Sequence, residues 1–587
     1  MINLFGDRVR TQGRNILGCD ACPMAGVPGI RRITGLSRIH KRKVMLWAQS
    51  PGRQENTKGL ELVGPAGTLL WESLQPLGLG RDDFDIQNVM RCWPLDSSGT
   101  EHKPTKRELQ CCSVHTEEAL ERNGGCAKVH LILGEVAGRQ LLNDAYRKDR
   151  PVFWHEPWGA QVVLAAHPSF VLRMGGKKAG FFYDEFLDRM RAVKILLQHP
   201  GKQGFLQAQD YGAVTTREEM DSLVDRIQKE AHEGRRVSVD IEDGTIDGSK
   251  RVLLIGFGWG QFTKPNDYSS WSGGARSVVT HPDSKYLMKK TTQVLEDPNI
   301  RKVLQHGSYD QGTLRDVLGI RLKGYDFDPQ YGAYLHNSNL RTYGLEVLSS
   351  RMFPEFGNWK DMVSKWSGHF EDVPLKTLVR YNCADCDVTK RLESRIAPQV
   401  SIPLVKVYIH DAIVLDKMQK TGPLLDYKTH EKVYAVVDKK LKATRSSLCK
   451  LAGKPDFNPN TPAEVAWLLF DKLGLPELEG RSTKNDVLEA LFHQTKHPVL
   501  KLQIKHRELQ TMKGTFLDGY KRSADKNDGE LRTIWWLTGA ATGRLRSGKG
   551  ERSEAEGICN FQNLHANPLL MNLLVSDKNW REALNEA

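Results

Sequence analysis

The sequence predicts an α/β protein of several domains with a helical C-terminal part. A chain of 587 residues is expected to form about four domains. Up to about residue 400, short apolar runs typical of strands are interspersed with helical stretches, which favours α/β domains. Beyond that point apolar residues recur at intervals of three and four, which predicts helices.

Composition and charge narrow the possible functions. The formal net charge is +13, which suits a partner of phosphate backbones. No apolar run reaches the roughly eighteen residues that cross a bilayer, and the N-terminus lacks the apolar core of a signal peptide. Ten cysteines without such a signal indicate a reducing compartment and favour metal or cluster ligation over disulfides. We therefore expect a cytoplasmic protein that binds nucleic acid and contacts no membrane.

The first 200 residues contain cysteines with ligand-like spacing. Cys19 and Cys22 form a Cys-x-x-Cys pair, and they are followed by Cys92 and by the adjacent Cys111 and Cys112. Thiolates suit zinc or an iron–sulfur cluster. Because a zinc ribbon has two short pairs, this spacing does not fit one.

Residues 1–200 resemble the family 4 uracil-DNA glycosylases, whose 4Fe–4S cluster is held by a close cysteine pair and two distant cysteines. The matching motifs are Gly64-Pro-Ala-Gly67, Asn88-Val-Met-Arg-Cys92, Leu131-Ile-Leu-Gly134 and Ala166-His167-Pro168-Ser169. The resemblance implies an α/β/α sandwich with a 4Fe–4S cluster. Its implied ligands are Cys19, Cys22, Cys92 and Cys112, with Cys111 as a close competitor of Cys112.

Two departures from that family bear on base excision. The family motif Gly-Glu-Ala-Pro-Gly is Ala48-Gln49-Ser50-Pro51-Gly52 here, so the acidic residue of the catalytic loop is absent. Leu62 replaces an aromatic residue on which a flipped base would stack, a contact worth about 1–3 kcal/mol. A pocket of Gln49, Asn88 and His167 can still grip a base edge or a phosphate. We therefore expect a DNA-binding domain, with base-excision repair as an alternative.

Residues 205–398 contain three acidic motifs. The alternating stretch from Arg236 to Glu242 predicts a half-buried strand, on which Asp240 and Glu242 share a face and Val239 and Ile241 point to the core. Adjacent carboxylates repel each other unless a cation lies between them, and Mg²⁺ suits oxygen ligands. Two such ions can activate a water and stabilise the leaving oxygen of a phosphodiester.

These motifs resemble the RNase H-like, proofreading 3′–5′ exonuclease domain of family A (DNA polymerase I-like) DNA polymerases. In order they are Asp240-Ile-Glu242, His306-Gly-Ser-Tyr-Asp310 and Tyr381-Asn-Cys-Ala-Asp385. The resemblance implies that two Mg²⁺ or Mn²⁺ ions are held by Asp240, Glu242, Asp310 and Asp385. It also implies that Tyr381 orients the attacking water. His306 replaces the family's usual Asn, and we expect it to tune the site.

Residues 402–535 resemble the helical thumb of the same polymerases, which clamps product duplex. Basic residues there, including Arg507 and Lys513, would contact phosphates without reading sequence. Residues 536–587 resemble the start of the palm, through Thr538-Gly-Ala-Ala-Thr542-Gly-Arg544-Leu545 and Asn560-Phe-Gln562-Asn563-Leu564. The resemblance implies DNA contacts from Thr542, Arg544, Gln562 and Asn563.

The palm strand with the catalytic aspartate, the fingers helix and the second acidic palm motif do not occur in this sequence. Polymerisation therefore needs a palm and fingers portion absent from the chain, since phosphoryl transfer depends on metals held there. A split gene, an incomplete sequence and a chain that dispenses with synthesis are three explanations. The intact opening motifs favour the first two, and a split gene implies a second polypeptide.

The sequence thus predicts the N-terminal part of a family A DNA polymerase with 3′–5′ exonuclease activity on DNA. The expected ligands are primer-template and a single-stranded 3′ end. A glycosylase-like module before proofreading and polymerase modules resembles large bacteriophage polymerases, which would place the protein in the host cytoplasm. The alternative is a non-catalytic accessory subunit that clamps DNA for a partner carrying the palm.

Overall fold

The computed structural model describes residues 18–33, 42–96, 98–123, 125–146, 150–264, 270–281, 284–340, 342–357, 359–366, 368–478, 480–548 and 558. The chain divides into two compact units, Met1–Ile409 and His410–Ala587. The first unit contains two β-sheets with their helices, and the second is mainly helical. Among the described residues no helix is both long enough and apolar enough to cross a bilayer.

The first sheet has five strands and forms an α/β/α sandwich with the helices on its two faces. Its strands are β1 (Val44–Ala48), β2 (Phe84–Asn88), β3 (Val129–Leu133), β4 (Val152–His155) and β5 (Ala160–Ala165), in the order β2-β1-β3-β5-β4. The sheet is parallel except for β4. Its helices are α1 (Arg53–Lys58), α2 (Pro65–Leu74), α3 (Lys106–Asn123), α4 (Glu135–Leu142), α5 (Pro168–Arg173) and α6 (Phe181–Gln198).

Both faces of this sheet are covered. Val44 and Leu46 of β1 pack into a core with residues of α2 and α6. Met45 and Trp47 pack into a second core with residues of α3 and α4. Because successive strand residues point to opposite faces, a strand buried on both faces is continuously apolar, as β1 is. The predicted sandwich is confirmed.

The second sheet contains the acidic motifs. Its elements are α7 (Gly204–Gln207), β6 (Asp210–Val214), α8 (Arg217–His232), β7 (Val237–Ile246), β8 (Ser249–Phe262), β9 (Trp271–Val279), α9 (Lys285–Glu296), β10 (Lys302–Val303), α10 (Ser308–Leu318), β11 (Tyr325–Phe327), α11 (Pro329–His336), α12 (Leu345–Met352) and α13 (Leu375–Ile396). The strand order is β11-β10-β7-β8-β9-β6. Strands β7, β8 and β9 are antiparallel neighbours, whereas β10, β11 and β6 pair in parallel.

Strand β7 is buried on both faces along its first half. Val239 and Ile241 pack in a core with α8, α9 and α10, as the alternation predicts. The opposite face is also covered, because Ser238 Oγ donates a 2.7 Å hydrogen bond to the carbonyl of Cys386 on α13. The expectation of a half-buried strand is therefore wrong for this segment. Its polar residues are covered by a helix that itself carries polar groups.

Two glycines of β8 allow α13 to approach the sheet. A Cβ atom at Gly256 would clash with Asn382 Oδ1, and one at Gly258 would meet the backbone of Cys386 at 3.0 Å. A residue without a side chain is needed wherever two backbones come this close. The approach places the third acidic motif, on α13, over the first one, on β7.

Buried arginines join the two sheets within the first unit. Arg191 of α6 pairs with Glu355, which is 2% exposed, and donates a 2.7 Å hydrogen bond to the carbonyl of Met352. Arg395 of α13 lies 2.8 Å from Asp188 of α6. The last helix of the sandwich is thus bonded to the segment that follows α12.

The second unit is built from helices. They are the part of α14 (Ile402–Lys420) from His410 onwards, α15 (Tyr427–Ala452), α16 (Pro462–Ala466) continued by a π-helical segment (Trp467–Lys472), α17 (Asn485–Thr495), α18 (Pro498–Thr511), a second π-helical segment (Met512–Leu517) and α19 (Asp518–Lys526). Two short strands, β12 (Trp535–Trp536) and β13 (Arg546–Ser547), pair antiparallel. The predicted helical region is confirmed.

Candidate active site

Three carboxyl groups meet between β7 and α13. One carboxylate oxygen from each of Asp240, Glu242 and Asp385 lies within 4.8 Å of the others. Glu242 is 5% exposed and Asp385 is 4% exposed. Strand alternation places the first two on one face, and the packing of α13 brings the third from 143 positions beyond Glu242. Such a set of oxygen atoms fits a divalent cation.

Asp310 is hydrogen-bonded to the same strand, β7, but does not belong to this group of three. It lies in the first turn of α10 and is 6% exposed. Its Oδ1 accepts a 3.3 Å hydrogen bond from the backbone N–H of Ile241, the residue between Asp240 and Glu242. Asp310 therefore lies next to β7 and close to the other three predicted ligands, but its carboxylate is outside the group whose oxygen atoms converge.

Burial and mutual repulsion raise the pKa values of the carboxyl groups in this site. Burial raises the pKa of Asp240 and of Glu242 well above the usual range, and the next cause for both is the charge of Asp385. Burial also raises the pKa of Asp310 to about 7. Buried carboxylates of like charge cannot all ionise in the absence of a cation. The donor set thus fits the divalent ions that the motifs predict.

Two residues outside the predicted set hold the carboxylates in place. Trp359 Nε1 donates a 2.7 Å hydrogen bond to Oδ1 of Asp385, and Trp359 is 1% exposed. Asn382 Nδ2 donates a 2.8 Å hydrogen bond to Oδ2 of Asp240. Asn382 had a signal in the sequence, because it follows Tyr381 inside the third motif. Trp359 had none, since it lies in a 3₁₀ turn outside every motif.

Tyr381 lies beside the acidic group, as the third motif predicts. It is 6% exposed, and burial, followed by the charge of Asp385, raises the pKa of its hydroxyl. Lys360 Nζ donates a 2.9 Å hydrogen bond to Tyr381 Oη and lies 3.5 Å from Oδ2 of Asp385. Burial by itself lowers the pKa of Lys360, but Asp385 and Tyr381 outweigh it, and the pKa is raised. Lys360 was not predicted.

The residue that departs from the family pattern lies outside the acidic group. His306 is exposed, has a positive φ of 58°, and its Nδ1 lies 3.2 Å from Oε1 of Gln330. The next residue, Gly307, donates from its backbone to Tyr325 Oη at 3.1 Å and to Asp328 at 3.3 Å. These bonds fix the loop that precedes α10 and therefore the position of Asp310.

Three regions of the chain match known protein families. Residues 35–191 match the uracil DNA glycosylase superfamily, and residues 211–401 match the 3′-5′ exonuclease family of polymerases. Residues 427–550 match DNA polymerase family A. The chain is similar to DNA polymerase I proteins of family A. It carries a uracil-DNA-glycosylase-like domain in front of its 3′–5′ exonuclease domain.

Individual proteins are similar to parts of this chain. DNA polymerase I of Pseudomonas aeruginosa is 24% identical over 383 residues, which is 61% of this chain and 40% of the relative. A type-4 uracil-DNA glycosylase of Archaeoglobus fulgidus is 31% identical over 176 residues, 27% of this chain and 80% of the relative. The solved POL domain of Pol1 from M. smegmatis, in complex with DNA primer-template and dNTP, aligns with a TM-score of 0.45 and 22% identity over 62% of this chain and 57% of that one. The chain thus spans about two fifths of that polymerase relative.

The glycosylase-like domain brings its cysteines together. Cys22, Cys92 and Cys112 lie in one cluster with Met24 and Met90. Burial raises the pKa of Cys22 to about 11 and that of Cys92 to about 12, and the Cys112 thiol contributes to both shifts.

The remaining cysteines flank this cluster. Cys19 Sγ lies 3.3 Å from His115 Nε2 and accepts a 3.2 Å hydrogen bond from Arg32. Cys111 instead donates to the carbonyl of Ala21 at 3.4 Å.

The three residues predicted to form the glycosylase-like pocket all lie at the carboxyl edge of the parallel sheet. Gln49 follows β1, Asn88 ends β2, and His167 follows β5 and accepts a 3.3 Å hydrogen bond from the backbone of Ser169 as N-cap of α5. Ligands of open α/β sheets bind at this edge. Burial lowers the pKa of His167 to about 4. Leu62 is 6% exposed and packs in the core, so it offers no surface for stacking a base.

Two of the predicted DNA-binding residues of the polymerase part are bonded to neighbouring side chains, and two others are exposed. Arg507 donates a 3.0 Å hydrogen bond to Asn485, and Lys513 donates a 2.6 Å bond to Asp438. Thr542 and Arg544 are exposed in the turn between β12 and β13. The other two predicted residues, Gln562 and Asn563, lie outside the described part of the chain.

Proposed function

We propose that the chain hydrolyses DNA from the 3′ end as the metal-dependent exonuclease of a family A polymerase. The observation that carries the proposal is the meeting of Asp240, Glu242 and Asp385, with oxygen atoms within 4.8 Å of one another. The match of residues 211–401 to the polymerase 3′-5′ exonuclease family supports the same reaction.

The residues have separate roles in this proposal. Asp240, Glu242, Asp310 and Asp385 would hold two Mg²⁺ or Mn²⁺ ions. When bound, these ions supply an activated water and stabilise the leaving oxygen. The Tyr381 hydroxyl, held by the 2.9 Å hydrogen bond from Lys360, orients the attacking water. Trp359 and Asn382 hold the carboxylates in the geometry that the reaction needs.

The test is a digestion of single-stranded DNA by the purified chain with Mg²⁺ or Mn²⁺. We expect shortening from the 3′ end, no shortening of an oligonucleotide blocked at that end, and loss of activity in the Asp240→Ala, Glu242→Ala double variant. An unchanged rate in the double variant would refute the site. Absence of digestion by the wild-type chain would favour the alternative, a non-catalytic subunit that clamps DNA for a partner.

For the polymerase part we propose binding of primer-template DNA. The match of residues 427–550 to family A and the exposure of Arg544 support it. A second polypeptide that supplies palm and fingers, an origin in a bacteriophage and a location in the host cytoplasm stay predictions. Synthesis reconstituted by mixing the chain with such a polypeptide would test the first of these.

For the glycosylase-like domain we propose a 4Fe–4S cluster and DNA binding without base excision. The converging thiols of Cys22, Cys92 and Cys112, with Cys19 close by, support a sulfur-ligated group. The match of residues 35–191 to the uracil DNA glycosylase superfamily supports the same proposal.

Base excision is the second candidate activity of this domain, favoured by the carboxyl-edge positions of Asn88 and His167. Incubation with a uracil-containing oligonucleotide, followed by alkaline cleavage, distinguishes the two proposals. Binding without abasic sites is the expected result, because the catalytic acid is replaced by Gln49 and Leu62 is buried. Strand breaks at uracil would establish excision instead.

A further inference from the structure

Lys360 lies in the acidic site although no motif includes it. It belongs to the 3₁₀ turn Trp359–Met362, and its Nζ is 2.9 Å from Tyr381 Oη and 3.5 Å from Asp385 Oδ2. The preceding residue, Trp359, donates to the other oxygen of the same carboxylate. One short turn therefore places two neighbouring hydrogen-bond donors next to the carboxylate of Asp385.

The hydrogen-bond chemistry of Lys360 restricts the hydroxyl of Tyr381. An ammonium group can only donate, so Tyr381 Oη must accept from it. The phenol proton must then point away from Lys360. A phenol oxygen that accepts a hydrogen bond from a buried neighbouring donor no longer rotates freely. Its remaining lone pair and its proton then point in defined directions, in which they can bind a water.

We propose that Lys360 is a positioning residue, which fixes the Tyr381 hydroxyl so that it orients the attacking water. The inference rests on the proposed exonuclease function and adds a residue to its machinery. The bond between Lys360 and Tyr381 is well placed for this role, because the lysine side chain is only 33% exposed and its turn is anchored by the buried Trp359. Orientation of a reacting group is a substantial part of catalysis.

The first test compares lysine variants in steady-state digestion of single-stranded DNA with saturating Mn²⁺. Lys360→Met is expected to lower kcat by about 10- to 100-fold with little change in KM, because a misplaced catalytic group costs rate rather than binding. Lys360→Arg keeps a donor and should retain more activity than Lys360→Met. The matched control is Lys365→Met, since Lys365 is exposed and stacks on Trp366 in the next turn. It should behave as wild type.

The second test asks whether Lys360 acts through Tyr381. In the Tyr381→Phe background, Lys360→Met should cause no further loss of kcat, because the hydroxyl that it positions is gone. Full additivity of the two losses would overturn the proposal. Calorimetric titration with Mn²⁺ gives an independent readout. Tighter Mn²⁺ binding by Lys360→Met, together with unchanged kcat at saturation, would overturn the proposal. Lys360 would then only offset the negative charge of the neighbouring carboxylates.

Failure of this inference is distinguishable from failure of the proposed function. If the wild-type chain and Tyr381→Phe are both inactive on DNA, the exonuclease proposal falls and this inference falls with it. If the wild-type chain is active and Lys360→Met equals it in kcat, only the role of Lys360 is refuted.

Discussion

The side-chain amide of Asn382 donates a 2.8 Å hydrogen bond to Oδ2 of Asp240, across 142 positions of sequence. The carbonyl of the same amide accepts a 2.6 Å bond from Ser277 Oγ on β9. Asn382 therefore links α13 to two strands and sets the orientation of the Asp240 carboxylate. Residues that orient a metal ligand in this way affect a site nearly as much as the ligands do.

Replacing Asn382 by alanine should reduce exonuclease activity by about 10- to 100-fold, because Asp240 loses its oriented position. Activity at several Mn²⁺ concentrations and the apparent Mn²⁺ affinity measure the effect. Asn382 is fully buried, so thermal unfolding must show that the variant is folded at the assay temperature. Ser277→Ala should have a smaller effect in the same direction. Equal activity of Asn382→Ala and wild type would contradict the assigned role.

In the metal-free protein the contribution of Asp310 to stability should fall as the pH rises. The pKa of Asp310 is raised from 3.8 to about 7, so between these values the folded chain keeps a proton that the unfolded chain releases. The contribution of this group to the free energy of unfolding therefore falls as the pH rises from about 4 to 7 and is then constant. The shifts of Asp240, Glu242 and Asp385 have the same direction.

Calorimetry in EDTA should accordingly give wild type and Asp310→Asn different dependences of Tm on pH. Relative to wild type, Asp310→Asn should gain Tm between pH 5 and pH 8, because it lacks the carboxyl group that must lose its proton. Mg²⁺ should raise Tm more at pH 8 than at pH 5, since a cation binds the ionised carboxylates. A variant with the same pH dependence as wild type would show that Asp310 is not protonated in the metal-free fold.

Replacing Arg191 by methionine should lower the free energy of unfolding by about 3–5 kcal/mol, because it leaves the buried Glu355 without its charge partner. Urea denaturation measures the change. Arg139→Met is the matched control, since Arg139 and its partner Glu135 are 67% and 52% exposed and such pairs contribute about 0–1 kcal/mol. Similar losses in both variants would exclude a special role for the buried pair.

Iron content should show which of the two adjacent cysteines, Cys111 or Cys112, is a ligand of the cluster. The anaerobically purified chain should be brown with broad visible absorption, and Cys112→Ser should lose most of the iron and the colour. Cys111→Ser should keep both, because Cys111 is bonded to the carbonyl of Ala21. Zinc binding by a colourless wild-type protein would argue against the cluster, and loss of iron in Cys111→Ser alone would reverse the assignment.

The polymerase part contains a helix whose two ends are marked in the sequence although no motif includes it. This helix, α15, is the longest among the described residues of the second unit. Asp426 accepts a 3.1 Å hydrogen bond from the backbone of Thr429 as its N-cap, and Gly453 follows its last residue with φ 64°. These are the residue types that favour the beginning and the end of a helix.

The sequence by itself determined which parts of the chain form sheets and where the acidic ligands lie. Strand periodicity alone predicts that Asp240 and Glu242 share a face, because alternation is a local property of an extended backbone. The order of the three motifs predicts that Asp310 and Asp385 join them, and the structure places both beside β7.

Only the tertiary structure decided which other groups surround those ligands. Trp359 and Lys360 reach Asp385 from a turn without periodicity, 26 and 25 positions earlier in the chain. Their placement depends on how α13 packs against β8, where glycines leave room for it. Hydrogen bonds between side chains that are distant in sequence follow from that packing. The packing of a helix against a strand leaves no repeating pattern in the sequence of the helix or of the strand.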